Sequence, residues 1–420
     1  MQDNPASTMD AQSSASSPSH DAEVISLVGF GHATSHFFHL VLPPLFPWLM
    51  PAFGLSFTEA GSLMTIFFVV SGTGQALSGF VVDRAGAHRV LLAGVGLLGV
   101  SALLLGSAGG FPMLAVAAAV AGLGNSVFHP ADYSLLNHRV SPPRLSHAFS
   151  VHGVSGYLGW AAAPPFMAGI ASFAGWRGAA FAAAAVAVLA LVLLYARRAV
   201  LDDTADRPVT HPTRGDRGGA STFGFLSSKP VWMCFGFFLT ATMAFGALQN
   251  FSPTVLERLY GISLPIAASA LSAYLVGGAG GTFAGGFLAA RRADQDRIIA
   301  AALLGAAFVA LLLATGIPPS WTVVGLMAIM GFGTGVAGPS RDLLVRRAAT
   351  NGFGARSFGR IYGVVYSGLD VGLAAAPLAF GPLMDAGRLQ QVLVGVALLQ
   401  GLAILTAIRV GARSRLATAV

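Results

Sequence analysis

Charged residues are scarce in this chain of 420 residues: Asp, Glu, Lys and Arg together make up only 10% of it. A water-soluble domain carries about 25% charged residues, so too little charge is available here to cover a soluble particle. Apolar residues make up 55% of the chain instead, and its mean hydropathy is +0.71. The composition therefore argues against a soluble globular protein and predicts an integral membrane protein.

Cysteine is nearly absent as well. The single cysteine, Cys234, excludes an intramolecular disulfide framework and a cysteine metal cluster. No Gly-x-x-x-x-Gly-Lys-[Ser/Thr] phosphate loop occurs, so coupling to an ion gradient is expected rather than a nucleotide-driven mechanism. The net charge is +7, but the basic residues stand singly or in pairs at the ends of apolar runs, which argues against nucleic acid as a partner.

The first 21 residues are polar and contain no Lys or Arg, which is the reverse of a secretory signal peptide. We expect residues 1–23 to form a disordered cytoplasmic tail. Twelve apolar runs follow, each close to the roughly 20 residues that cross about 30 Å of hydrocarbon. Their predicted bounds are 24–50, 58–82, 89–108, 112–136, 147–173, 178–198, 229–252, 264–289, 297–316, 321–345, 357–381 and 390–409.

A polar stretch, residues 199–228, divides these runs into two sets of six and is rich in Arg, Asp, Gly, Thr and Pro. The sequence thus predicts an all-α integral membrane fold with two six-helix bundles, residues 24–198 and 229–409. The stretch between them is interpreted as a cytoplasmic linker, and residues 410–420 as a cytoplasmic tail.

The distribution of basic residues predicts the orientation in the membrane. With twelve spans, 21 of the 24 Lys and Arg residues fall on one side, and only Arg177, Arg258 and Arg388 fall on the other. Because Lys and Arg are retained in cytoplasmic loops, both termini are predicted to be cytoplasmic.

Glycine and proline recur at a near-constant offset in three pairs of spans. The offset is 209 residues for the first and seventh and for the fourth and tenth spans, and 212 residues for the fifth and eleventh. The matched positions are Pro44 and Pro253, Gly122 and Gly331, Gly124 and Gly333, Pro130 and Pro339, Gly156 and Gly368, and Pro165 and Pro377. Transporters are often built from related halves, so this register predicts two pseudo-symmetric bundles.

Asp370 lies near the middle of the eleventh span, where an ionisable group is costly and usually faces a water-filled cavity or a partner. One interpretation is a carboxylate that couples transport to protons or another cation. The alternative is a carboxylate that pairs with a neighbouring helix and serves packing alone.

Three histidines, His32, His36 and His39, share one face of the first span because they are spaced at i, i+4 and i+7. Such a stripe can contact a polar substrate or relay protons near neutral pH. It can also form structural hydrogen bonds to adjacent helices. A metal site is the weakest interpretation, because the sequence places no carboxylate nearby to complete a ligand set.

His129 and Asp132 lie toward the cytoplasmic end of the fourth span, and His147 and His152 enter the fifth. Asp132 aligns with Arg341 at the offset of 209 residues. We hypothesise that these opposite charges meet across the axis between the halves and help to close the cytoplasmic side. The alternative is that each is satisfied within its own half. Neutral polar residues are further candidates for the lining of a solute cavity: Gln75, Asn125, Gln249 and Asn250.

The loop between the second and third spans reads Gly79-Phe-Val-Val-Asp83-Arg84-Ala-Gly86-Ala-His88-Arg89. It resembles the loop signature of the major facilitator superfamily, Gly-x-x-x-Asp-Arg-x-Gly-x-x-[Arg/Lys], in which we expect Gly79 to allow close helix approach. In that family the aspartate holds the cytoplasmic ends of the two halves together. The resemblance therefore implies a contact from Asp83 to the start of the eleventh span near Ser357–Arg360. The copy after the eighth span has Ala290 in place of the aspartate.

The resemblance covers nearly the whole chain, and the stretches His32–Pro47 and Gly122–His152 look most like fosmidomycin-resistance-type drug exporters. Residues Gly153–Gly169 are similar to the Gly/Pro-rich antiporter motif of drug exporters, with a different spacing. Membership implies two bundles that rock about a central site and are driven by proton exchange, with spans 1, 4, 7 and 10 lining the cavity.

The leading functional hypothesis is proton-coupled efflux of a small organic compound or drug by alternating access at a bacterial inner membrane. The expected partners are the small-molecule substrate, protons and lipid; we expect a functional monomer with no cofactor and no bound metal. Proton-coupled uptake of a small metabolite, such as an organic acid, is the alternative. An integral-membrane enzyme is a remote third possibility, because no nucleophile–base–orienter set is visible.

Overall fold

The computed structural model describes residues 17–202, 229–292, 294–353 and 358–418. Within these ranges the regular secondary structure is helical, and no strand is present. The first half contains α1 (Pro18–His39), α2 (Phe46–Phe53), α3 (Phe57–Ala85), α4 (Ala87–Gly106), α5 (Phe111–Asn125), α6 (Phe128–Arg139), α7 (Leu145–Ala196) and α8 (Arg198–Leu201). The second half contains α9 (Lys229–Tyr260), α10 (Leu264–Arg291), α11 (Gln295–Ala314), α12 (Val323–Phe353), α13 (Phe358–Asp385) and α14 (Leu389–Thr418).

Ten helical stretches of the described chain are long and apolar enough to cross a membrane. One of them, His147–Ala196, contains two passes, because Gly175 interrupts α7 with φ 72° and ψ 170° and the chain reverses there. Only glycine adopts such a positive φ at little cost. The glycine-, serine- and threonine-containing α3 adds one further pass. The described chain thus makes twelve passes, in agreement with the fold predicted from the sequence.

Two of the predicted spans are broken by prolines. The first span stops at His39, and Pro43–Leu45 forms a 3-10 turn before α2 begins. The fourth span breaks between α5 and α6, because Pro130 cannot donate a backbone hydrogen bond to the carbonyl of Ser126 four residues earlier. That carbonyl instead accepts a hydrogen bond from the Ser78 hydroxyl of α3 at 3.0 Å. The break lies directly beside Asn125 and His129, two of the predicted site residues.

The first helix begins at Pro18, ahead of the predicted start at residue 24, so part of the predicted disordered tail is helical. Asp21 is fully buried and accepts a hydrogen bond from Arg144 Nη1 at 2.7 Å, next to the turn between α6 and α7. Arg197 at the end of α7 forms an ion pair with Glu23. We call this end of the molecule the linker end. The opposite end, where α2 turns into α3 and α13 into α14, is called the hairpin end.

The internal repeat is visible in the packing of the matched glycines. In each half, the glycines of the fourth or tenth span press against backbone carbonyls of the two neighbouring spans. The contacts are Gly122 with Phe67 and Gly331 with Tyr274, then Gly124 with Gly94 and Gly333 with Ala302. Because a Cβ at any of these positions would collide with backbone, glycine permits the close helix approach. The halves therefore share one packing scheme, as the sequence register predicts.

The main contacts between the halves are those of α3 with α13 and of α7 with α10. At the hairpin end, Asp385 of α13 accepts hydrogen bonds from the backbone N–H groups of Phe57 at 2.5 Å and of Thr58 at 3.0 Å. These groups belong to the first turn of α3, where the helix dipole favours an anion. A carboxylate of the second half therefore caps a helix of the first.

Candidate functional site

A group of imidazoles fills the interior of the first half, and we call it the histidine cluster. The predicted stripe on α1 faces α5, α6 and α7, so that side chains from four helices meet. Nearly all of them are buried. The members are His32, His36, His39, Asn125, His129, Asp132 and His152.

The carboxylate of Asp132 joins two histidines of the cluster. Its Oδ2 lies 3.1 Å from His32 Nδ1 and 3.1 Å from His152 Nε2, and its side chain is fully buried. The two imidazole rings stack, with 3.6 Å between their centroids. An N–H of each ring donates to the carboxylate, so this buried acid has its hydrogen-bond partners within the first half.

The structure does not bring Asp132 and Arg341 together, so the hypothesis of a charge pair across the halves is wrong for this structure. Asp132 is hydrogen-bonded to His32 and His152 of its own half. This agrees with the alternative prediction, in which each charge is satisfied within its own half. The guanidinium of Arg341 lies over the ring of Phe238 in α9, 4.7 Å from its centroid. Equivalent positions in an internal repeat are related by pseudo-symmetry, but this relation does not require that their side chains are in contact.

Asn125 connects the α1 stripe to α3. Its Oδ1 lies 2.8 Å from His39 Nε2 and accepts a hydrogen bond from the Ser35 hydroxyl at 2.5 Å. Its amide nitrogen donates to the Ser71 hydroxyl at 2.8 Å. In α6, His129 Nδ1 lies 2.9 Å from Gln75 Oε1 of α3.

His36 stands apart, because neither of its ring nitrogens has a hydrogen-bond partner in the described part of the chain, although the side chain is only 8% exposed. Its ring is surrounded by others, 4.2 Å from His32 and 4.3 Å from Trp160 between centroids. The Oδ1 of Asp132 is also buried and has no partner. Buried polar atoms are nearly always hydrogen-bonded, so these two groups are exceptions within the cluster.

A cavity of about 180 Å³ lies in the second half. It is bordered by helices of that half and closed by Tyr157 and Trp160 of α7, which belong to the first half. The ring of Trp160 lies 4.3 Å from His36 and 5.4 Å from Phe245 of the cavity wall, so it separates the histidine cluster from the cavity. The polar lining residues include Thr242, Tyr274, Thr334, Arg341 and Gln400.

Arg341 is the one charged residue among the described residues that line this cavity. Gln400 on the same wall is 3% exposed, and its side-chain oxygen has no hydrogen-bond partner among the residues that the structure describes. The hydroxyl groups of Thr334 and Tyr274 are 3.1 Å apart. The cavity is therefore mostly apolar with a few convergent polar groups, which is the usual composition of a small-molecule site.

Gln249 and Asn250 do not border this cavity. Both side chains are buried within the hairpin-end half of α9, with exposures of 1% and 2%. The amide nitrogen of Asn250 donates to the backbone carbonyl of Gly246 at 2.7 Å, and neither polar atom of the Gln249 side chain has a partner within the described ranges. The structure thus places these two predicted residues away from the cavity that it shows.

Asp370 lies where the two halves meet. It lines a groove of about 480 Å³ between α3 and α13, opposite Gly72, whose missing side chain leaves room for the carboxylate. Within the described residues the carboxylate has no hydrogen bond and no ion pair.

The loop motif forms the turn between α3 and α4. Gly86 ends one helix and begins the next with φ 100°, a conformation that favours glycine, while Arg84 and Arg89 are exposed. A Cβ on Gly79 would meet no atom of the described residues within 4 Å, and the close helix approach expected there stays a prediction. The implied contact of Asp83 with Ser357–Arg360 involves side chains outside the described part of the chain and stays a prediction.

Sequence reasoning did not select Tyr157, Trp160, Tyr274 or Gln400, and it named His152 and Gln75 without placing them beside His32 and His129. A usable signal was present for Trp160. Gly156 and Gly159 mark the face of α7 that packs on α1, since a Cβ at Gly156 would lie 2.7 Å from His36 Nδ1. Trp160 follows directly on this face.

Known proteins share this arrangement of helices. The sequence profile of the Major Facilitator Superfamily matches residues 28–377. The chain belongs to the major facilitator superfamily. It is 25% identical over 393 residues to the uncharacterized MFS-type transporter YfnC of Bacillus subtilis, covering 91% of each chain. It is also 28% identical over 171 residues to the fosmidomycin resistance protein of Escherichia coli, covering 41% of this chain and 42% of that protein.

Among solved structures, the fold is similar to that of a bacterial homologue of the human lysosomal transporter Spinster, in an inward-facing and occupied conformation. The TM-score is 0.71 with 16% sequence identity, and the match covers 96% of this chain and 98% of the other. At this identity the likeness concerns the fold alone. Together with the family match, it identifies a multi-pass membrane transporter of the major facilitator superfamily and not an enzyme.

Proposed function

We propose that this transporter exports a small organic compound in exchange for protons, by alternating access of a central site between its halves. One observation carries the proposal: the cavity of the second half is closed by Tyr157 and Trp160 of the first. A solute bound there contacts both halves, so a change in their relative position would open or close its route.

The joints between the halves support a rocking movement. Along α3 and α13, small residues and prolines come into close contact: a Cβ on Gly61 would lie 2.8 Å from Pro377, and one on Gly381 would lie 2.8 Å from Thr58. Surfaces with few protruding side chains slide over one another at low cost. The proposed moving bodies are residues 24–198 and 229–409.

The proposed proton route uses the histidine cluster and Asp370. Imidazole is the side chain that titrates nearest to neutral pH, and several imidazoles lie within one ring contact of each other between α1, α6 and α7. Trp160 separates His36 from the solute cavity, so a change of charge in the cluster lies one side chain away from the substrate. Asp370 lies at the joint of the halves and is proposed to couple its protonation to their movement.

Uptake of a small organic acid is the second candidate, and Arg341 favours it. A guanidinium in a mostly apolar cavity attracts a carboxylate or a similar anion, and Gln400 and Tyr274 offer hydrogen-bond donors on the same wall. The direction of transport decides between the two candidates.

For localisation, we propose the inner membrane of a bacterium with both termini in the cytoplasm and a monomer as the working unit. The asymmetry of 21 against three basic residues supports this orientation. Labelling of cysteines placed in the 199–228 stretch and in the C-terminal tail is expected to show both on the cytoplasmic face. Labelling from opposite faces would contradict the orientation and the number of spans.

A survey of drugs and metabolites in cells with and without the gene tests the function directly. We expect lower internal accumulation of at least one organic compound in expressing cells, and this difference should vanish when the proton gradient is collapsed. Higher accumulation of an organic acid would favour uptake instead. Unchanged accumulation across the survey would contradict both.

Asp370→Asn tests the coupling residue in the same cells. We expect flux driven by the proton gradient to fall to background, while exchange of labelled for unlabelled solute is retained, because a group that carries the coupled proton is needed only for net movement. Asp294→Asn serves as the control, since Asp294 is exposed at the start of α11 and pairs with Arg297. Unchanged gradient-driven flux in Asp370→Asn would remove this residue from the mechanism.

A further inference from the structure

Three imidazoles of the histidine cluster converge from two different elements. His32 and His36 of α1 and His129 of α6 each offer one nitrogen, and these three atoms lie within 4.8 Å of one another. Nitrogen ligands lie about 2.0–2.1 Å from Zn²⁺, so small side-chain rotations suffice for all three to reach a single ion.

The surrounding hydrogen bonds determine which nitrogens are available. The Nδ1–H of His32 donates to Asp132, and the Nδ1–H of His129 donates to Gln75 Oε1. In a neutral imidazole the other nitrogen then carries the lone pair, so both rings present Nε2 as an acceptor. A carboxylate or amide behind each ligand histidine is the arrangement that orients such rings in metal sites.

His36 supplies the second reason. Both of its nitrogens are buried and lack any hydrogen-bond partner within the described residues, and Asp132 Oδ1 is in the same condition. Hydrogen bonds within the cluster do not satisfy these atoms. A cation held by His32, His36 and His129 would satisfy one nitrogen of His36 directly.

We propose that His32, His36 and His129 bind a divalent transition-metal ion such as Zn²⁺, Co²⁺ or Ni²⁺, with Asp132 and Gln75 as positioning residues. Three imidazoles favour these ions, whereas Mg²⁺ and Ca²⁺ prefer oxygen ligands. The sequence did not place a carboxylate near the α1 stripe, whereas the structure places Asp132 behind His32, where it orients a ligand ring instead of completing the ligand set. The inference goes beyond the proposed transport, and the ion would occupy the nitrogens that the proton route needs.

Binding of the metal alone to the purified full-length protein tests this inference independently of transport. We expect about one equivalent of Co²⁺ to bind with a visible absorption band typical of low coordination number, and Zn²⁺ to displace it. His36→Ala and His129→Ala are expected to abolish the band. Gln75→Leu, which retains all the imidazoles, is expected to weaken binding roughly 10- to 100-fold by releasing His129.

His138→Ala is the matched control, since His138 is exposed on α6 and lies outside the cluster. Its Co²⁺ binding should equal that of the wild type, and thermal melting should show that every variant remains folded. Binding that survives in His36→Ala and His129→Ala, or an absence of binding in the folded wild type, would overturn the proposal. Neither result would bear on solute export, which is measured separately.

Discussion

The two halves have the same backbone arrangement, but they carry different side chains at equivalent positions in their interiors. With the offset of 209 residues, cluster positions of the first half map onto residues of the second: His32 onto Ala241, His36 onto Phe245, Asn125 onto Thr334, His129 onto Gly338 and Asp132 onto Arg341. All five residues of the second half line the cavity. Where the first half is packed with imidazoles, the second is hollow. The repeat thus retains the glycine contacts between helices and diverges in the side chains that point inward.

Among the variants that test this comparison, the charge swap Asp132→Arg with Arg341→Asp is expected to have the largest effect on the amount of folded protein. Asp132→Arg places a cation against His32 and His152 and removes their acceptor, and breaking a buried pair of this kind costs roughly 3–5 kcal/mol. We therefore expect little folded protein by fluorescence-detected size exclusion. Arg341→Asp should fold, because Arg341 is only partly buried.

The double variant then tests whether Asp132 and Arg341, which occupy equivalent positions in the two halves, are also in contact. Since the two side chains do not meet in the structure, Asp132→Arg combined with Arg341→Asp should recover no more folded protein or transport than Asp132→Arg alone. Recovery clearly above that single variant would show that the residues do pair in another state of the cycle.

Filling the hollow half tests whether its cavity holds the solute. Among the described residues, a Cβ on Gly338 would have only the Thr282 hydroxyl within 4 Å, at 3.9 Å, so there is room for a larger side chain. Gly338→Phe should fold, and we expect it to lower transport by about tenfold or more, because an aromatic ring occupies much of a small-molecule site. The rate is measured as uptake or efflux of the compound found in the survey.

Gly325→Phe on the same helix is the control for this substitution. Gly325 is exposed and a Cβ there would meet no atom within 4 Å, so transport should be unchanged. Equal transport by Gly338→Phe and the wild type would place the solute elsewhere.

The smallest expected effect is a decrease in melting temperature when the helix-packing glycines that both halves share are replaced. Gly122→Ala and Gly331→Ala each press a methyl group against the backbone of a neighbouring helix, at Phe67 and Tyr274. Overpacking of this kind costs about 1–3 kcal/mol, and we expect similar decreases in melting temperature for both. Gly79→Ala, whose methyl group meets no atom of the described residues within 4 Å, should melt like the wild type. A large decrease for one glycine only would mean that the halves do not share their packing.

The pattern of apolar runs predicted the passes well, because hydrocarbon requires long apolar helices. The constant offset between glycines also predicted the internal repeat correctly, since Gly122 and Gly331 make equivalent backbone contacts in the two halves. The break after Asn125 was not predicted, although Pro130 supplied its physical cause. Proline in a membrane span is compatible with either a kink or a break, and the outcome depends on whether a neighbour such as Ser78 satisfies the released carbonyl.

The site was less predictable than the fold. Helical spacing correctly placed His32, His36 and His39 on one face, because that relation is local. The partners of Asp132 lie 100 residues earlier and 20 residues later, in α1 and α7. Such contacts depend on how each helix is rotated about its axis. Polarity alone likewise did not show that Gln249 faces away from the cavity.

The carboxylate of Asp385 has a further consequence for the transport cycle. Asp385 belongs to the second half and caps α3 of the first, so it links the two halves at the hairpin end. A conformation in which the halves separate there has to break its hydrogen bonds with the N–H groups of Phe57 and Thr58. Hydrogen bonds to a charged acceptor contribute about 1.5–3 kcal/mol. Opening of that side therefore carries a free-energy cost of this size, which another step of the transport cycle has to supply.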